Sequence, residues 1–235
     1  MLKRNVQRLL LLLVLMPGAQ SQAQAGTAEQ DPWEGVNRQV FAFNDFLDRN
    51  LLLPVTRGYM RWVPQPIQTG VHNFFGNLDD VVSLFSNILQ LKPHNSAQDF
   101  SRVVGNTIFG VLGFIDFSTA LGIPKQHEEF GQVLGYWGMP SGPYVVLPFL
   151  GPSNVRDGLS RVPNSQLAPP YEVDKNRWYW SAQGLSLVDT RAGLTQSEGL
   201  ISGDRYSFIR DAYMQRRAFL VNDGVQDAGF QDDGF

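Results

Sequence analysis

Metal or nucleophile chemistry in this chain would have to be built from three histidines, His72, His94 and His127, and from no cysteine at all. His127-Glu128-Glu129-Phe130-Gly131 opens like H-E-x-x-H, in which two imidazoles one helical turn apart hold zinc, but glycine stands where the second ligand is needed. His72 and His94 lie outside any metal-spacing cluster. Gly184-Leu185-Ser186-Leu187-Val188 approaches the G-x-S-x-G elbow of a serine nucleophile and fails at its last position. Gly105 to Gly110 has the glycine spacing of a phosphate-binding loop, yet Val111 and Leu112 replace the required lysine and hydroxyl residue. Asp79 and Asp80 are neighbours on a predicted helix and so point in different directions, which suits a helix start better than an acid/base pair. The absence of cysteine excludes disulfides, thiolate zinc sites, a thiol nucleophile and a lipidated N-terminal cysteine. The chain is therefore read as non-enzymatic, with no cofactor and no metal. An acidic balance without a basic run speaks against nucleic acid as a partner.

What the sequence offers instead is apolar surface on a dictated backbone. From Glu129 to Asp157, Pro140, Pro143, Pro148 and Pro152 fix φ and lack a backbone donor, while glycines between them permit turns. Such a segment cannot be a helix. It displays Tyr136, Trp137, Tyr144, Leu147, Phe149 and Leu150, and hardly a group able to move a proton.

Lys3, Arg4 and Arg8, the apolar run Leu9 to Met16 and Ala23-Gln24-Ala25 have the form of a secretory signal peptide, giving residues 1–25 as a leader and Gly26 as the expected mature start. Its removal leaves 16 basic against 22 acidic residues and a net charge of −6. Residues 26–221 are long enough for one domain with its own core, and the acidic residues 222–235 read as a disordered tail.

Within the domain the hydrophobic period is helical. Asp31, Pro32 and Glu34 form a helix start, with Trp33, Val36, Val40, Phe41, Asn44 and Leu47 on one face and an end expected near Asn50. A second helix is expected from Asn77, with Asp79 and Asp80 in its first turn and Lys92-Pro93 closing it, and a third from Asn95 or Ser96. Asp116 is placed to cap a short helix, Arg156 and Asp157 to pair at a helix start, and two further helices are expected over 175–190 and 204–221. No strand-like alternation is evident, so the fold class is all-α. Mature segments lack the roughly 18 uninterrupted apolar residues of a membrane-spanning helix. Amphipathic helices of this kind lie at a lipid boundary or bury one face in protein, and periodicity does not separate the two.

Four blocks in register, DPWEGVNRQVFAFNDFLD, VPQPIQTGVHNFFGNLDD, GNTIFGVLGFIDFSTALGIPK and EEFGQVLGYWGMPSGPYVVLPFLGPSNVRDG, together with RDAYMQRRAFL near the end, resemble the MlaA (VacJ) family of outer-membrane phospholipid-transport proteins. The resemblance covers nearly the whole mature chain. It implies a single ring-like helical domain at the periplasmic face of the outer membrane, with an amphipathic channel, and phospholipid, a trimeric outer-membrane porin and a periplasmic lipid shuttle as partners. The lipid-anchoring cysteine usual in the family is missing here, where Gly18-Ala19-Gln20-Ser21 stands. Retention would then fall to side chains or a protein contact.

Candidate lipid or channel residues follow from both readings. Phe41, Phe43 and Asn44 crowd aromatics around one amide on a helix that borders the channel in the family, and core packing is the other role open to each phenylalanine. Phe114, Ile115 and Phe117 lie in a glycine-punctuated segment, Phe109 to Gly131, suited either to gating or to plugging a helix connection. Tyr144, Leu147 and Phe149 come from the Pro-Gly block. A soluble periplasmic lipid-binding or scaffold protein and a lipid hydrolase are the alternatives from other classes.

Overall fold

Proline placement and a reversed polarity pattern, rather than a large apolar core, organise the helices. The structure is a computed structural model that describes residues 31–167, 178–201 and 203–224. The leader, most of the acidic tail and the start expected at Lys175 lie outside these. Helix α1, Glu34–Leu47, passes through a π-helical turn at Asp48–Leu52 into α2, Leu53–Trp62. The expected stop near Asn50 does not occur. The wider π turn leads directly to Pro54, which occupies the first turn of α2, where its missing N–H breaks no helical bond. Asp31 does not cap α1 either. Its carboxylate accepts from Asn37 Nδ2 at 2.8 Å and from the Tyr206 hydroxyl.

Helix α3, Gln65–Leu89, begins twelve residues before the expected Asn77, because Pro66 lies in its first turn and does not interrupt it. Leu91 (φ 58°) ends it in a Schellman turn, Lys92 N–H to Asn87 C=O at 3.0 Å and Leu91 N–H to Ile88 C=O at 3.1 Å. Helix α4, Pro93–Ile108, folds back along α3. The short α5, Phe117–Ala120, is capped by Asp116, whose side chain accepts from Thr119 N–H at 3.1 Å, as expected. The stretch from Glu129 to Asp157, read as non-helical, does hold helix α6, Phe130–Tyr136, ahead of its first proline, followed by β1, Tyr144–Leu147, and β2, Gly151–Asn154, an antiparallel pair that adds a small ribbon to the helical fold. Strand alternation over four residues is too short to read in the sequence. Helices α7, Val155–Leu167, α8, Trp178–Leu194, and α9, Arg205–Val221, follow, with Thr195–Leu200 as a 3₁₀ turn before α9. Arg156 and Asp157 pair at 2.9 Å at the start of α7, as expected.

The apolar core is small: Tyr144, Val146 and Tyr206, against which Val40, Phe41, Tyr213 and Met214 pack. Beyond it, the buried faces are polar. On α3 the buried positions include Asn77, Asp80, Ser83, Ser86 and Asn87, and on α4 Asp99, Arg102 and Asn106. Phe85, Ile88, Leu89, Phe100 and Ile108 of the same helices face outward. Among the described residues no helix is long and apolar enough to cross a membrane.

Candidate functional site

The inward polar faces of α3 and α4 are stitched by hydrogen bonds that a soluble helix pair would replace with leucines. Ser83 and Asn87 each donate to Asp99 at 2.8 Å, and Asn77 Nδ2 donates to Thr107 Oγ1 at 3.2 Å. Burial, with the Asp80 charge adding to it, raises the Asp99 carboxyl above its ordinary range, and the two donors only partly offset that.

Arg102 is the hub. Its side chain is 1% exposed, and its guanidinium donates from Nε to Asp80 at 3.0 Å, from Nη1 to Thr119 Oγ1 and the Ile123 carbonyl at 2.9 and 2.8 Å, and from Nη2 to both Asp116 oxygens at 3.1 Å. Every arm of a planar five-donor group is thus used, which fixes the 109–123 segment against α3 and α4. Burial would raise Asp116, but Thr119 and Arg102 outweigh it and hold its carboxyl below the ordinary range. Lys125 adds a second cation, donating to the Gly76 carbonyl at 2.6 Å and facing Asp80 Oδ1 at 3.0 Å. A Cβ on Gly76 would come within 2.8 Å of the Lys125 ammonium and would displace that flexible side chain.

Together these groups line a cavity of about 170 Å³ bounded by His72, Asn73, Asn77, Arg102, Asn106, Asp116, Lys125 and His127. His72 stands at its rim, its ring largely exposed and its Nδ1 2.9 Å from Asp189 of α8. His127 is held below its ordinary value by burial, with the Lys125 and Arg216 charges acting the same way. The His72–Asp189 pair has the form of an oriented base, yet no hydroxyl or thiol residue lines the cavity for it to activate. Among the described residues no group of three potential ligands is placed to hold a metal.

Beside this polar space lies an apolar rim. The 109–115 segment turns through left-handed residues Val111, Leu112 and Gly113, conformations that cost a β-branched residue most. This turn leaves Phe109, Val111, Leu112, Phe114 and Ile115 exposed. Phe114 rests on Phe74 with ring centroids 5.4 Å apart and fills the notch at Gly70, while Phe117 packs on Phe109 at 5.2 Å.

The other expected residues form two further groups. Tyr144 is fully buried in the core and Phe41 stacks edge-on against Tyr206 at 5.6 Å. Phe43, Asn44, Leu147 and Phe149 meet at the ribbon tip. Asn44 donates to the Leu147 carbonyl at 2.9 Å and accepts from Phe149 N–H at 2.8 Å, and Phe43 meets Phe149 edge-on at 5.4 Å. One helical face earlier, Asn37 does the same for Tyr144 C=O and Val146 N–H, at 3.1 and 2.9 Å. Two asparagines seven residues apart thus cover the free edge of β1 with side-chain amides. None of the residues lining the cavity was expected to form a site, and Asp116 was expected only as a helix cap. The signal was present in the spacing Asn77, Asp80, Ser83, Asn87, Gln90, a helical period carried by polar residues.

A mainly helical architecture that keeps its charged and amide side chains inside and turns its large apolar ones outward defines an inverted helical domain. The chain belongs to the MlaA lipoprotein family, whose model matches residues 29–220. It is 35% identical over 235 residues to the intermembrane phospholipid transport system lipoproteins MlaA of Shigella flexneri and Escherichia coli K12, covering 95% of this chain and 91% of each relative. It is 34% identical to the protein of that name from Haemophilus influenzae over 201 residues, 83% of this chain and 80% of that one. A solved structure described under "Structural basis for maintenance of bacterial outer membrane lipid asymmetry" superposes with a TM-score of 0.72 at 33% identity, over 82% of this chain and 99% of the other.

Proposed function

We propose that this protein moves phospholipid without catalysing any reaction, taking misplaced molecules from the outer leaflet of the outer membrane and passing them to a soluble periplasmic shuttle. The observation that carries this reading is the juxtaposition of a charged, polar cavity with an exposed apolar rim formed by Phe109, Phe114 and Ile115. A phospholipid needs both at once: a polar lodging for its head group and apolar contact for its chains. Outward-facing apolar side chains on α3 and α4 suit contact with the acyl layer, where no water has to be ordered around them. A trimeric porin is the proposed partner that retains the chain at the periplasmic face. A passive conduit follows free-energy differences, so direction comes from the receiving partner's affinity.

The test is fractionation of the mature protein followed by lipid analysis of the purified material. Transport in the bilayer predicts that it resists salt and carbonate washing and carries phospholipid. A protein that washes off and brings no lipid would be the soluble scaffold alternative.

A further inference from the structure

Two of the ties that fasten α8 to its neighbours differ in kind. Arg191 grips Asp48 of the π-helical turn as a fork, Nε to Oδ1 at 2.7 Å and Nη2 to Oδ2 at 3.0 Å. Arginine is never deprotonated in a protein, so this tie does not respond to pH through its cation. Two residues earlier, Asp189 meets Nδ1 of His72 on α3 at 2.9 Å. That pair is lopsided, with the Asp189 side chain 9% exposed and the His72 side chain 72% exposed. The buried carboxylate depends on its partner, while the imidazole stands where water delivers or removes a proton. Helix α8 packs on both α2 and α3, and His72 also lines the cavity, so the pair sits where the seam between α3 and α8 meets the cavity rim.

The groups around the pair leave the imidazole as its variable member. On α2, the buried Tyr59 hydroxyl is held above its ordinary range by burial and by Asp189, and so keeps its proton. On α3, Asp79 lies two turns along, its carboxyl raised by burial first, and Glu129 beyond it pairs with Arg217 at 2.6 Å. On the cavity side His72 shares the walls with Arg102, Asp116, Lys125 and His127. Arg102 pairs with Asp80 and Asp116, and Lys125 faces Asp80, so these cations and carboxylates offset one another. His127 is held low, by burial first.

We propose that the His72–Asp189 pair is a proton-operated latch between α3 and α8 at the cavity rim, tight when the imidazole is charged and loose when it is neutral. A charged imidazole gives the carboxylate an ionic hydrogen bond, stronger than the one that remains once the proton leaves. Imidazole is the side chain that makes this change between about pH 5 and 8. With the tie to α3 weakened, α8 stays held at Asp48 by Arg191 and swings about that point, which opens the seam beside the cavity. The latch is a property of the fold alone; that it governs lipid entry rests on the transport reading above. Under that reading acid conditions close the cavity rim, and neutral to basic ones admit lipid.

The chain has no cysteine, so Ile67→Cys on α3 and Leu187→Cys on α8, both at exposed positions, place one pair of nitroxide labels across the seam. Electron–electron double resonance on the mature protein in detergent should give one narrow distance at about pH 5.5 and an added longer component at about pH 8, its population raised about fivefold to tenfold. His72→Gln, a change at an exposed ring, should show the longer component at both pH values with the helical circular dichroism retained. Asp189→Asn should do the same. Equal distances at both pH values with His72 and Asp189 intact, or a pH response that survives His72→Gln, overturn the latch. Transfer of a fluorescent phosphatidylcholine from dioleoyl phosphatidylcholine vesicles, whose head group does not titrate in this range, is followed under the same conditions and should be faster at the higher pH. Distances that respond while transfer does not overturn the control of lipid entry and leave the latch standing. No transfer at either pH overturns the transport reading, and the distances still decide the latch.

Discussion

Arg102 shows how much of this protein depends on single polar side chains. Replacing it with methionine keeps much of its volume but leaves Asp80 as a buried carboxylate without its main partner and cuts the 109–123 segment loose from α4. The expected loss is about 3–5 kcal/mol in denaturant unfolding, the usual result of breaking a buried ion pair from one side. Arg102→Lys should recover only part, because a point charge cannot reach Asp80, Asp116 and Ile123 together. At this scale the sequence was legible where chemistry is local. The Asp116 cap and the Arg156–Asp157 pair follow from positions a few residues apart. Arg102 was not legible, because its partners lie 14 to 22 residues away and an arginine within an amphipathic helix ordinarily marks the solvent side.

At the scale of elements, the β-ribbon is held by α1 more than by its own two short strands. Val146 faces Pro152, which has no N–H to give, and its own amide turns outward to Asn37. Asn37→Ala would strand a buried carbonyl and a buried N–H, at a cost of about 1–3 kcal/mol. Asn44→Ala should act locally instead, since Phe149 and Leu150 at the tip are exposed and Phe149 is held at φ 64°. Hydrogen exchange separates the two: Asn44→Ala should speed exchange at Phe149 while Val146 stays protected. A second element-scale test is Leu91→Gly. Leu91 occupies the left-handed position ending α3 with its side chain 72% exposed, so glycine removes strain of about 1–2 kcal/mol and loses little packing. Unfolding in detergent should show the gain. Helix existence was legible from periodicity, whereas α3 begins before the expected Asn77: Pro66 sits in its first turn, where a missing N–H costs nothing, and Phe114 fills the space beside Gly70.

For the molecule as a whole, burial of charge makes stability respond to acid. Burial would raise Asp157, but Arg217 and Arg156 outweigh it and hold it low, so its contribution, present above the ordinary carboxylate value of 3.8, is lost as the pH falls through its folded value. His127, held low by burial and by Lys125, resists a proton that the unfolded chain takes up, so its contribution is present above pH 6.5 and lost below it. Asp99 and Glu128, raised by burial, act in the opposite sense. The His127 contribution should therefore be lost as the pH falls below 6.5, and His127→Gln should remove it from the pH dependence of unfolding. Outside this charged interior, the outward apolar side chains Ile88 of α3 and Phe100 and Ile108 of α4 are half or more exposed. Mutational tolerance is thereby reversed from that of a water-soluble protein: swapping one aliphatic or aromatic residue for another on the exterior should pass almost unnoticed, while a change from serine to alanine inside should register. A saturation library scored for abundance would show the silent positions as the greasy ones.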